Sequence, residues 1–209
     1  MKSARDLIER TVSGFGFSVF CFLIWGGLTG LRARHLVSNF SWMEVVWLVY
    51  VATFAVLFLV RSRPKAVSLN PLHWLVALLV SFSGLFFEKE SAGIAGTEAV
   101  ANGLILLGLA GSGTAALALR RSYDFLPALR GVTTDWLFRF IRHPMYVSSI
   151  LIRLGYLSMH ASMYNAAVFA VMVWLYVKRV DYEEDIMQQD ERYIEYMRQV
   201  RYRFLPGIY

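Results

Sequence analysis

Charges along this chain are gathered into short clusters, and the intervals between them are almost wholly apolar. Uncharged runs cover residues 11–31, 45–60, 66–87 and 99–119. Each approaches the roughly 20 residues that a helix needs to cross a hydrocarbon core, the second by counting residues 41–44 at its rim. Between residues 144 and 177 only Arg153 carries a full charge, which leaves room for two more crossings. The pattern predicts helices over 11–31, 41–60, 68–87, 95–119, 145–160 and 163–178, with a short interfacial helix within 1–10. The predicted fold is all-α: a polytopic transmembrane helical bundle of five to six spans, with a C-terminal helical hairpin and an amphipathic cytoplasmic tail. One membrane domain over 1–209 is the economical reading. Four spans lie in 1–119, and the loop, hairpin and tail that form the site lie in 120–209.

Composition sharpens this. Apolar and aromatic residues make up 57% of the 209 positions and charged residues only 17%, against about half and a quarter in soluble domains. The first apolar run is too long for a cleaved signal peptide, and no small-residue cleavage pattern follows it. A single cysteine, Cys21, excludes an intrachain disulfide and reads as a small buried apolar residue. The excess of 21 Lys and Arg over 15 Asp and Glu fits loops facing anionic membrane lipids, and gives no reason to expect nucleic acid as a partner. Lys2, Arg5, Arg10, Arg61, Arg63, Lys65, the 120–143 loop and the tail fall on one side, and Arg32, Arg34 and Lys89 on the other. The basic side is expected to be cytoplasmic. A multi-pass protein of the plasma or inner membrane, with its site facing the cytoplasm, is therefore predicted.

Two spans carry local signals. Pro71 and His73 stand at the start of the third, where proline is tolerated in a first turn. The fourth is rich in small residues (Gly103, Gly108, Gly111, Gly113, Ala115, Ala116), which suits close helix packing in lipid. These glycines do not make a nucleotide fingerprint, since no strand–helix context surrounds them.

The candidate chemistry lies at the two ends of the last apolar stretch. Arg142-His143-Pro144-Met145-Tyr146 opens it, and Arg179-Val180-Asp181-Tyr182-Glu183-Glu184 closes it. If the stretch doubles back as a hairpin, the two clusters meet in an ion-paired pocket at the membrane rim. Arg179 and Glu183, four residues apart, can pair on one helix face, while Glu184 is turned about 100° away. Adjacent carboxylates beside Arg and His suit a ligand that bears both an amine and a carboxylate. The plainer alternative is a helix start with an interfacial Arg-His pair and a solvated helix end whose surface ion pairs contribute little. Arg153, about two turns past Tyr146, is expensive at that depth and points to a pairing or a substrate path. Downstream, Tyr193, Tyr196 and Val200 recur at helical spacing among arginines, giving an amphipathic helix able to cap a pocket.

Taken in order, these residues resemble the C-terminal half of the isoprenylcysteine carboxyl methyltransferase family, part of a wider group of membrane-embedded methyltransferases that includes phospholipid methyltransferases. The resemblance rests on Arg142-His143-Pro144-Met145-Tyr146, Arg179 with Glu183-Glu184, Tyr193-Ile194-Glu195-Tyr196 and Arg203-Phe204-Leu205-Pro206, and covers about residues 131–209. Two departures stand out: Trp136-Leu137-Phe138-Arg139 where the family usually has a Gly-Pro-Tyr-Arg-like segment, and Ser148 where Gly is usual. Trp136 is expected to narrow the pocket.

The resemblance implies S-adenosylmethionine as methyl donor and a hydrophobic or lipid-like acceptor reached among membrane lipids. It implies that His143, Pro144 and Tyr146 line the adenosine and sulfonium region, with Tyr196 also on the cofactor side. Glu183 or Glu184 would hold the donor's ammonium and Arg142 its carboxylate. Arg179 would orient the acceptor, so Arg179 and Glu183 are the expected catalytic pair. No metal is implied. Two alternatives are a small NADPH-dependent reductase on the related scaffold, as in the much longer sterol reductases, and a non-enzymatic membrane protein with a dead pocket.

Overall fold

A computed structural model describes residues 2–207, with side chains from residue 6 onward, so Lys2 and Arg5 of the orientation argument lie outside the described side chains. Helix accounts for 72% of the residues. The helices are α1 (Lys2–Ser13), α2 (Phe15–Ser38), α3 (Trp42–Val60), α4 (Pro71–Ser81), α5 (Glu98–Leu119), α6 (Pro144–Met159), α7 (Met163–Met187) and α8 (Glu191–Gln199). The short helix expected within 1–10 is α1, which ends at Ser13, and Gly14 separates it from α2.

Local sequence explains most of the boundaries. Ser41 caps α3 by accepting from the Glu44 amide, and Glu44 spends its carboxylate on Arg32 of α2 at 2.9 Å. Asn70 caps α4 just ahead of Pro71, Ser162 caps α7 and Asp190 caps α8. Proline at its first position starts α6 without a side-chain cap, since proline has no amide hydrogen to satisfy.

Among the described residues three helices are long and apolar enough to cross a membrane: α2, α3, and α5 with the turn that follows it. The other three expected spans differ for visible reasons. α4 stops after 11 residues at Ser81 and gives way to a 3-10 turn over Ser83–Phe86. α6 has 16 residues, and α7, though 25 residues long, is charged from Lys178 onward. Large apolar side chains such as Phe20, Leu23, Val56, Leu107 and Trp174 stay exposed, as an outer surface meant for lipid would leave them.

α6 packs chiefly along α5, whereas α7 packs along α4. The first contact depends on missing side chains. A Cβ on Gly108 would lie 2.5 Å from the Ser148 carbonyl oxygen, and one on Gly155 would lie 2.6 Å from that of Ala101. Gly111 likewise faces the Ser148 hydroxyl, while Gly103 and Gly113 face open space, so only part of the small-residue stripe is used for packing.

The 120–143 loop is anchored rather than free. Its strand β2 (Ala128–Leu129) pairs antiparallel with β1 (Ala66–Val67), in the connection between α3 and α4. Lys65 donates to the Leu129 carbonyl and Ser68 to that of Pro127. Deeper, Arg61 at the end of α3 binds Asp124 at 2.7 Å, the Ser18 hydroxyl at 2.7 Å and the Val12 carbonyl at 3.0 Å. This buried node draws α1, α2, α3 and the loop together. At the opposite helix ends, fully buried Asn165 binds both backbone groups of Glu88 and the His160 carbonyl.

Candidate functional site

The two charge clusters meet. Arg142 and His143 sit on the approach to α6, and the tail after α8 runs beside them: their amides donate to the carbonyls of Tyr202 and Arg203. The last turns of α7 then present Arg179, Glu183 and Glu184 to this segment.

The two glutamates have separate surroundings. Glu184 is 1% exposed. Its carboxylate binds Arg142 Nε at 2.8 Å, His143 Nε2 at 2.9 Å and Arg203 Nη2 at 2.7 Å. Burial alone would raise its pKa, but the hydrogen bonds from His143 and Arg142 outweigh that and hold it down to about 2. Burial pushes the His143 pKa below its ordinary 6.5 despite the carboxylate beside it, so the imidazole is neutral and gives its Nε2 hydrogen to Glu184. Arg142 spends its remaining reach on the carbonyls of Val200 and Arg201, at 2.8 and 2.7 Å. Arg142, His143 and Glu184 thus form a saturated knot that ties the tail to the hairpin.

Glu183 looks the other way. It accepts from the Tyr146 hydroxyl at 2.5 Å and forms an ion pair with Arg130 of the loop. The same hydroxyl accepts from Arg179 Nε at 2.8 Å, so the expected Arg179–Glu183 contact runs through Tyr146. Arg179 Nη2 donates to the Phe125 carbonyl at 2.6 Å. Its Nη1 is buried without a hydrogen-bond partner among the described residues, on a residue only 7% exposed. An unpartnered buried guanidinium nitrogen is costly, and calls for a ligand or water.

These side chains border an open cavity with about 1070 Å³ of empty space including its mouth. Arg142, His143, Pro144, Tyr146, Arg179, Glu183 and Tyr196 line it; Glu184 does not. The Tyr196 hydroxyl is committed to the Phe138 carbonyl at 2.7 Å, leaving its ring to the cavity. Phe138, Met187, Tyr193 and Tyr196 belong to one buried cluster that also forms part of the cavity wall.

The Trp136 expectation is corrected. Its side chain is 62% exposed and absent from the lining, while Phe138, two residues on, takes a place in the wall. What remains at Trp136 is backbone: its φ of +55° lies in the left-handed region that favours glycine. Ser148 is buried and donates to the Pro144 carbonyl within its own helix.

Sequence reasoning missed Arg130 and the Arg61–Asp124 pair. Arg130 is one of five arginines in the 120–143 loop and nothing marks it out; only the β1–β2 pairing brings it to Glu183.

A helical membrane protein with an ion-paired, partly aromatic cavity at the polar end of its bundle is the class that fold and site define. Residues 97–190 match the family model described as phospholipid methyltransferase. Over 105 residues the chain is 30% identical to Protein-S-isoprenylcysteine O-methyltransferase B of Arabidopsis thaliana, covering 46% of this chain and 53% of that protein. Each likeness falls in one part of the chain, a little under half of its length, and both are to methyltransferases. The family match starts at α5, upstream of the motifs that carried the resemblance, and the chain spans about half the length of this curated relative.

Proposed function

We propose that this protein is a membrane S-adenosylmethionine-dependent methyltransferase acting on a hydrophobic or lipid-like acceptor. The observation that carries the reading is the Arg179–Tyr146–Glu183–Arg130 chain along the cavity wall, with one guanidinium nitrogen left unpartnered.

The cavity suits the donor in size and in chemistry. The amino-acid end of S-adenosylmethionine carries an ammonium and a carboxylate, and the Glu183–Arg130 pair offers the complementary charges. Glu183, one of the two glutamates that the resemblance offered for this role, would hold the ammonium. Arg130 replaces Arg142 as the group for the carboxylate, because Arg142 is already occupied by Glu184 and two carbonyls. Glu184 likewise leaves the ligand set and becomes a support. His143, Pro144, Tyr146 and Tyr196 keep their assigned place beside the cofactor, with the Phe138 and Tyr193 rings suited to an adenosine face.

When bound, the donor supplies a methyl carbon already activated by positive sulfur. The chain's own task is then alignment and the exclusion of water. Tyr146 fixes Glu183 and Arg179 relative to each other, and Arg179 Nη1 orients an anionic acceptor atom such as a carboxylate oxygen. The aromatic wall keeps water out. The donor would enter from the cytoplasm and the acceptor sideways from lipid.

The test is thermal unfolding of detergent-purified protein with each cofactor. S-adenosylmethionine should raise the Tm and NADPH should not. Glu183→Gln should abolish the shift while the apo protein stays folded. A shift with NADPH alone, or with neither, would refute the proposal.

A further inference from the structure

Arg153 lies nine residues past Pro144 on α6, about 14 Å along the helix axis. α4 has ended beside it, and Arg153 Nε donates to the Ser83 hydroxyl at 3.0 Å in the 3-10 turn that follows. No carboxylate among the described residues lies within ion-pair distance of it, and its two terminal nitrogens have no hydrogen-bond partner there. Yet the side chain lines the same cavity as Tyr146 and Glu183, on a stretch otherwise read as membrane-embedded. Ser81 lines the cavity too, and its hydroxyl bonds to nothing among the described residues. Irregular backbone and an unpaired charge are tolerated at membrane depth where they face a polar cavity, and such charges mark ligand paths.

A purely structural account would have Arg153 answer the carbonyl end of α4. That account employs Nε and Ser83 but leaves the other nitrogens, and Ser81, directed at nothing. We propose that Arg153, with Ser81, receives an anionic group, phosphate or carboxylate, on the headgroup of an amphiphile that occupies the cavity from its membrane side. Arg179 meets the reacting atom at the polar end of the cavity; Arg153 meets a second, non-reacting anion deeper in. The identification of this amphiphile as the methyl acceptor rests on the methyltransferase reading, but its binding does not.

The experiment is equilibrium binding to the full chain in neutral detergent, followed by native mass spectrometry and thermal shift. Dioleoyl phosphatidate and oleate are the anionic probes and dioleoylglycerol the neutral one. At least one anionic probe should bind about tenfold more tightly than dioleoylglycerol. Phosphatidate alone identifies phosphate as the recognised group, and oleate alone identifies carboxylate. Arg153→Gln should lose that preference and Arg153→Lys should keep most of it. Arg198→Gln, on the exposed face of α8, should not change it. Ser81→Ala breaks no bond within the protein and should weaken anion binding about threefold, which keeps the test open if Arg153→Gln fails to fold. Equal binding of the neutral probe overturns the proposal, as does an anionic preference that survives in Arg153→Gln or is unchanged in Ser81→Ala. The S-adenosylmethionine shift should persist in Arg153→Gln, so failure of the donor reading shows as loss of that shift in wild type.

Discussion

The Tyr146 hydroxyl lies 2.5 Å from the Glu183 carboxylate although 37 residues separate the two in sequence. The same oxygen also accepts from Arg179 Nε, so one phenol holds an acid and a base of α7 in fixed relation from α6. Tyr146→Phe keeps the ring and deletes this link. Expected results are a loss of about 1–3 kcal/mol in stability, from two charged groups losing a buried partner, and a smaller S-adenosylmethionine-induced Tm shift. Chemical denaturation and thermal shift in the same detergent measure both.

Glu184 and Glu183 should separate cleanly on mutation. Glu184→Gln takes the buried counter-charge away from Arg142, while Arg203 keeps Asp181, and removing one partner of a buried pair costs about 3–5 kcal/mol. It should therefore lower the Tm of the apo protein steeply. Glu183→Gln keeps an oxygen to accept from Tyr146 and loses only the Arg130 ion pair, so it should lower the apo Tm by clearly less than Glu184→Gln does. Equal apo Tm values for the two variants would contradict the division of labour between them.

Acid should destabilise the protein in two stages. The folded pKa of His143 is depressed, so below its ordinary 6.5 the unfolded chain takes up a proton that the folded one refuses, and stability falls with pH from there. Glu184 is held at about 2 against an ordinary 4.5, so its contribution is complete above pH 4.5 and is lost as pH falls toward 2. That second loss is on the order of 3 kcal/mol. Tm measured against pH should decline below about 6.5, where unperturbed histidine titrates. His143→Gln should flatten the upper part of the profile and Glu184→Gln the lower part.

Trp136 provides a backbone test. At a φ of +55° glycine is unstrained, whereas alanine retains the clash that costs an L residue about 1–2 kcal/mol. W136G should therefore be more stable than W136A by roughly 1 kcal/mol, the reverse of the order at a helix interior. Because the indole lies outside the cavity lining, donor binding should match wild type in both variants.

Much of the layout was legible in the sequence because charge spacing follows bilayer thickness. The uncharged runs found α2, α3 and α5, and the small residues of α5 pointed to close helix packing, with α6 as the partner only in the structure. The meeting of the 142–146 and 179–184 segments followed from the hairpin alone. The assignment of the two glutamates did not. Identical side chains one residue apart differ only in rotation about α7, and that rotation has meaning only once the 142–143 backbone and the 202–203 tail are in place. The early stop of α4 was equally hidden, since no proline marks it. Arg61, read as one more rim cation, could reveal its role only after the loop had brought Asp124 to it.

The β1–β2 clip and the Arg61–Asp124 pair set a rule for grafting. A chimera that joins residues 97–207 to a foreign set of leading helices would import Asp124 without its counter-ion and Leu129 without its ladder neighbour. The donor half would then have to supply equivalents of Arg61 and of 65–68, or the transplanted loop would swing free and take Arg130 away from Glu183.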